Sequence, residues 1–120
     1  NEITGGVGTN TLWGGEGAEA DTLIGVDGGT NTFAYLYNNG SDVIITDNDD
    51  DVVDLMNIGL EEINWADVTI EDDQVALGMN DGGKVQINSS ADVAIRLKNG
   101  SEWVADRENK TFTYKGMHNR

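Results

Sequence analysis

Residues Thr4-Gly5-Gly6-Val7-Gly8-Thr9-Asn10-Thr11-Leu12-Trp13, continued by Gly14-Gly15-Glu16-Gly17 and then Asp21-Thr22-Leu23-Ile24-Gly25, decide the reading of this chain. An Asp or Asn stands two places before a large apolar residue, and glycines cluster just ahead of it. The arrangement occurs six times in the first 53 residues: Asn1/Ile3, Asn10/Leu12, Asp21/Leu23, Asn31/Phe33, Asp42/Ile44 and Asp51/Val53. The apolar members are 9, 11, 10, 11 and 9 residues apart. A step this short is too small for a helical repeat and fits one strand plus one turn.

The pattern has a physical logic. Glycine permits positive φ, so a glycine-rich turn can direct its carbonyls inward where residues with a Cβ resist. The Asp or Asn adds a side-chain oxygen at a fixed place. The apolar residue two positions on points into the interior, as the period-2 alternation of a strand requires. Each apolar run is short: Thr11 to Trp13, Thr22 to Ile24, Thr32 to Tyr35, Val43 to Ile45 and Val52 to Met56. Strands of that length are not stable singly, so they must stack on their neighbours.

The quoted residues resemble the nonapeptide GGxGxDxUx, where U is a large apolar residue, of the RTX or hemolysin-type calcium-binding family. The stretch from Asn31 through Asp42 to Leu55 is similar to the sequence that ends such repeat blocks. The resemblance covers roughly residues 3–55. It implies an all-β protein: a short parallel β-roll over residues 1–56, followed by an antiparallel β cap or sandwich over 57–120. In that fold successive turns lie on alternate sides, so a calcium ion is held between one turn and the second turn after it.

This parity sorts the anchors. One side carries Asn1, Asp21 and Asp42; the other carries Asn10, Asn31 and Asp51. Asp21 with Asp42 keeps two carboxylates and is the best calcium site, to which the resemblance adds Gly14 and Glu16 of the preceding turn. Asn31 with Asp51 keeps one carboxylate. The Asn10/Asn31 pair keeps none and is either vacant or a hydrogen-bonded asparagine stack. Each Asn in place of Asp removes a charge from a site whose affinity follows ligand charge. One or two calcium ions are therefore expected instead of a full ladder. The run Asp47-Asn48-Asp49-Asp50-Asp51 is either a further calcium turn, with Asp47, Asp49 and Asp51 facing one ion, or a solvated loop. It lacks the Gly and terminal Glu of an EF-hand loop.

Charge supports a cation as partner. The chain has 120 residues and a net charge of −15, and its first basic residue is Lys84. All 18 acidic side chains before Lys84 stand without a basic one; the remainder carries 4 acidic and 7 basic residues. Phosphate contacts need clustered Lys and Arg, so nucleic acid is not an expected partner. Oxygen-only donors suit calcium. There is no cysteine, which excludes disulfides and thiolate metal sites, and no run of about 18 apolar residues that would form a membrane-spanning helix. Beginning at Asn1 instead of Met, the chain reads as a piece of a longer protein.

Past residue 56 the glycines thin and ordinary strand patterning begins: Asp67 to Glu71, Gln74 to Met79, Lys84 to Asn88, Val93 to Lys98, Glu102 to Ala105 and Thr111 to Lys115. Asn80-Asp81-Gly82-Gly83, Asn99-Gly100 and Arg107-Glu108-Asn109 read as hairpin turns. Gly59 to Trp65 is the one helix-like stretch, long enough for a turn or two. No catalytic constellation is visible. His118 is the single histidine and lies next to the C-terminus, and nothing singles out a working pair among the 22 carboxylates. Trp13, Trp65, Trp103, Tyr35, Tyr37, Phe112 and Tyr114 read as cross-strand packing and core before they read as a sugar platform.

Two functional expectations follow. In the first, the chain is a non-enzymatic, calcium-binding module of a secreted bacterial protein, loose at low calcium, exported through a type I secretion channel as the resemblance implies, and folded by calcium outside the cell. In the second it is a calcium-independent structural or adhesive module, or the carrier of an upstream effector. Its Asn-rich turns then stack without metal, and the β cap meets a protein partner or another copy.

Overall fold

The computed structural model describes residues 2–15, 19–26, 28–37 and 40–119. The described residues form twelve strands: β1 (Glu2–Thr4), β2 (Gly8–Trp13), β3 (Thr22–Ile24), β4 (Gly29–Tyr35), β5 (Ser41–Ile45), β6 (Val52–Leu55), β7 (Ile63–Ile70), β8 (Gln74–Met79), β9 (Lys84–Asn88), β10 (Ala94–Arg96), β11 (Ser101–Asp106) and β12 (Thr111–Met117). The expected helix-like stretch is a single 3-10 turn, Leu60–Glu62, closed by the Gly59 N–H donating to Glu62 Oε1 at 2.8 Å. One turn adds too few hydrogen bonds to propagate, and the β-rich sequence after it runs straight into β7.

The chain alternates between two six-stranded sheets. The first has the order β1-β3-β5-β9-β8-β7 and the second β12-β11-β10-β6-β4-β2. Strands β1, β3, β5 and β9 are mutually parallel, as are β2, β4, β6 and β10. Hairpin partners then close one side of each sheet: β8 and β7 antiparallel on β9, β11 and β12 antiparallel on β10.

The protein is thus all-β, with four rungs of parallel roll. The expected boundary at residue 56 does not separate the sheets, because β9 and β10 extend the parallel rows after the β7–β8 hairpin has been inserted. Two places before their core residues Ile87 and Ile95 stand Val85 and Val93 in place of an Asp or Asn, so the repeat signal ends while the geometry continues. A strand needs only apolar side chains at the correct parity to join the stack.

Register shows what the repeat's apolar positions do. Ile3, Leu23, Ile44 and Ile87 lie in one row across the first sheet, and Leu12, Phe33, Val53 and Ile95 in one row across the second. Leu23, Phe33 and Val53 are wholly buried, and the two rows meet as the core between the sheets. Burying a side chain of this size stabilises the fold by about 1.5–3 kcal/mol. On the outer face of the second sheet, Arg96 on β10 reaches Glu102 on β11 at 2.8 Å and Asp54 on β6 at 3.4 Å, tying three strands together through one guanidinium.

Candidate functional site

The alternation puts turns on two edges of the roll, and the anchors sort by edge. Asp21 and Asp42 enter β3 and β5 on one edge; Asn10 and Asn31 lie in β2 and β4, and Asp51 just precedes β6, on the other. Both edges use the same backbone latch. A carboxylate oxygen of the later rung accepts the main-chain N–H of the earlier anchor: Asp21 N–H to Asp42 Oδ1 at 3.1 Å, and Asn31 N–H to Asp51 Oδ1 at 2.7 Å. The anchors therefore set the spacing between rungs whatever else they bind.

Side-chain chemistry then separates the edges. On the second edge, Asn10 Nδ2 donates to Asn31 Oδ1 at 3.1 Å, and Asn31 Nδ2 donates to Asp51 Oδ2 at 3.2 Å. The Thr46 hydroxyl donates to the same Asp51 Oδ2 at 2.5 Å. The start of the ladder is tied to its own turn, with Asn10 Nδ2 donating to the Gly6 carbonyl at 2.6 Å. An amide both donates and accepts, so each Asn hands a hydrogen bond to the next rung. Asp51 is 0% exposed and both of its oxygens are held. The column ends there, because the register that pairs Val52 with Ala94 sets apolar Val93 beside Asp51.

On the first edge, Asp21 and Asp42 are 6% and 3% exposed and supply acceptors alone. Burial pushes the Asp42 carboxyl up to about 6; the Asp21 N–H bond works against that rise, while the Asp21 charge adds to it. Gly14 packs directly against the Asp21 carboxylate, and a Cβ there would come within 2.7 Å of Asp21 Cγ. Any other residue at that place would displace the acid. At the near end of the next turn, the buried Tyr35 hydroxyl donates to the Gly40 carbonyl at 2.5 Å. Its ionisation is pushed upward by burial and by the charges of Asp81 and Asp42, so this edge is an acidic one. Val85 is the register partner of Asp42 and ends the column, as Val93 does on the other edge.

Other residues singled out in the sequence take varied places. Asp47 and Asp49 are exposed while Asp51 is wholly buried, so the acidic run is divided between solvent and ladder. Asp49 Oδ1 accepts the Asp92 N–H at 3.0 Å, and Asn48 Nδ2 donates to the Val26 carbonyl at 3.0 Å, clasping two turns of the second edge. Glu16 lies outside the described residues. Trp103 stacks edge-on against Tyr114, its cross-strand partner, at 5.3 Å. Thr46 and Asn48 carry no repeat signature. Their position beside a buried Asp could be found only once the turn had been folded.

The donor set of the first edge is compatible with a hard cation, since it consists of oxygens with a surplus of negative charge. Among the described residues no three or more Asp, Glu, His or Cys converge. Calcium takes about six to eight oxygens. A cation at Asp21 and Asp42 would have to complete that number with backbone carbonyls and water. Compared with known protein families, with curated proteins and with solved structures, the chain finds no match.

Proposed function

We propose that this chain is a calcium-binding β-roll module of the RTX type its repeats resemble, belonging to a secreted bacterial protein and stabilised by calcium after export. The observation that carries the reading is the stacked, buried Asp21/Asp42 carboxylate pair. Two adjacent buried acids repel, and one remedy is a proton, which Asp42 holds more readily than an ordinary carboxylate. A divalent cation would be the other, supplying positive charge between the two acids. Asp21 and Asp42 would hold it, with Gly14 leaving the Asp21 carboxylate the space it occupies. Extracellular modules bind calcium at about 10⁻⁴–10⁻³ M, a range that suits a site with so few carboxylates. One ion at this edge is the proposal.

The test is a thermal melt in millimolar calcium and in chelator, followed by circular dichroism, for the wild type and for Asp21→Asn and Asp42→Asn. Calcium should raise the wild-type melting temperature and leave both variants unmoved. If calcium changes neither the spectrum nor the melting temperature of the wild type, the proposal is wrong.

The Asn10–Asn31–Asp51 ladder favours a second reading for the remainder of the roll. That edge is closed by its own amides, as a calcium-independent structural or adhesive module requires. On that reading the melting temperature in chelator equals that in calcium.

A further inference from the structure

Between the outer strands of the two sheets lies a cavity of about 680 Å³ that the calcium reading does not use. One wall is Ile63, Val68 and Leu77 from β7 and β8; the other is Ile95, Trp103 and Phe112 from β10, β11 and β12. The antiparallel strands added to each sheet splay here, beyond the last parallel rung. At the outer side, Trp65 of β7 meets Phe112 of β12 edge-on at 6.3 Å, so an aromatic contact bridges the two sheets across the opening.

The lining indicates what can fill this space. The space opens to solvent on one side and is lined mainly by apolar side chains, the surface that an apolar occupant would cover. Water needs about two to four polar partners each, and apolar cavities without them take up hydrophobes instead. Here the Trp103 indole N–H is already given to Ser101 Oγ at 3.0 Å. Arg107 Nε, the buried side-chain nitrogen without a partner among the described residues, belongs to a separate water-sized space of about 10 Å³. The charged lining residues, Glu71 and Lys110, lie 3.8 Å apart and neutralise each other. Nothing in the wall therefore asks for a charged headgroup. The volume falls within the range of about 300–1,000 Å³ typical of small-molecule sites. Both walls come from one chain and are joined by the Trp65–Phe112 contact.

We infer that the cavity between β7–β8 and β10–β12 is a binding site for an uncharged, predominantly apolar small molecule of the alkyl-chain class. It is independent of calcium and of the acidic edge.

The full chain is titrated with N-phenyl-1-naphthylamine, an uncharged fluorophore, exciting tryptophan so that Trp65 and Trp103 report on it. Saturable one-to-one emission is expected, displaced by 1-dodecanol and less well by dodecanoate. Val68→Trp, which projects an indole into the space from one wall, should weaken uptake at least about tenfold while the circular dichroism melt shows a folded protein. If that variant does not fold, Thr111→Trp at the rim serves in its place. Absence of saturable emission with the folded wild type overturns the inference, as does undiminished uptake by the folded tryptophan variant. Stronger displacement by dodecanoate than by dodecanol overturns the ligand class. A dimer in light scattering with no probe uptake assigns the space to a second copy and overturns the site.

Discussion

At Asn31 a single residue holds three rungs together. It accepts from Asn10, and donates to Asp51 from both its side chain and its backbone. Asn31→Asp would exchange the donor Nδ2 for an oxygen facing Asp51 and place two buried acids in contact. The expected cost in chelator is about 3 kcal/mol, read from urea denaturation. Asp42 gives the converse case. Its folded-state value is raised, so its contribution to stability is fully present below the ordinary carboxylate value of 3.8 and is lost as pH rises through about 6. In chelator, the wild type should therefore lose on the order of 2 kcal/mol relative to Asp42→Asn across that window, measured by parallel melts. Saturating calcium should flatten the difference, if the cation takes the proton's place.

Elements are joined at this protein's edges by close approaches that leave no space for a side chain. A Cβ at Gly25 would lie 2.6 Å from Asn31 Nδ2 and 3.1 Å from an Asp51 carboxylate oxygen. Gly25→Ala should therefore disrupt the ladder between β4 and β6 and cost about 1–3 kcal/mol by thermal denaturation. On the outer face of the second sheet the ion pairs of Arg96 link β6, β10 and β11. Arg96→Ala leaves Asp54 and Glu102 without their shared cation and should cost about 3–5 kcal/mol, whereas exposed pairs such as Lys84–Asp67 are worth about 0–1 kcal/mol. The short strands, the turns and the parity of inward side chains were legible from the sequence, because a period of 2 and the conformational demands of glycine are local. The Arg96 triad was not. Its partners Asp54 and Glu102 lie 42 and 6 residues away and meet only through strand register.

For the molecule as a whole, continuity of the sheets beyond residue 56 predicts how it unfolds. Strands β9 and β10 cover β5 and β6 and complete the rows of Ile44 and Val53. A fragment ending at Met56 would expose both rows at that side, so it should show no cooperative melt even in millimolar calcium. The 120-residue chain should melt in one transition, because one hydrophobic core runs from Leu12 to Leu97 through both halves.

The sequence by itself determined that the protein is all-β, where its repeat turns lie, and which anchors are acids and which are amides. These properties follow from side-chain type and from spacings of two and about ten residues. Tertiary structure alone decided that the roll has a fourth rung, that the Asn column is satisfied by its own hydrogen bonds, and that the acidic run is split between solvent and ladder. It also decided that the added strands line an apolar cavity. The reason is physical. Whether a buried oxygen meets a donor or another oxygen depends on register across a full rung, some 20 residues away, and no local pattern encodes that meeting.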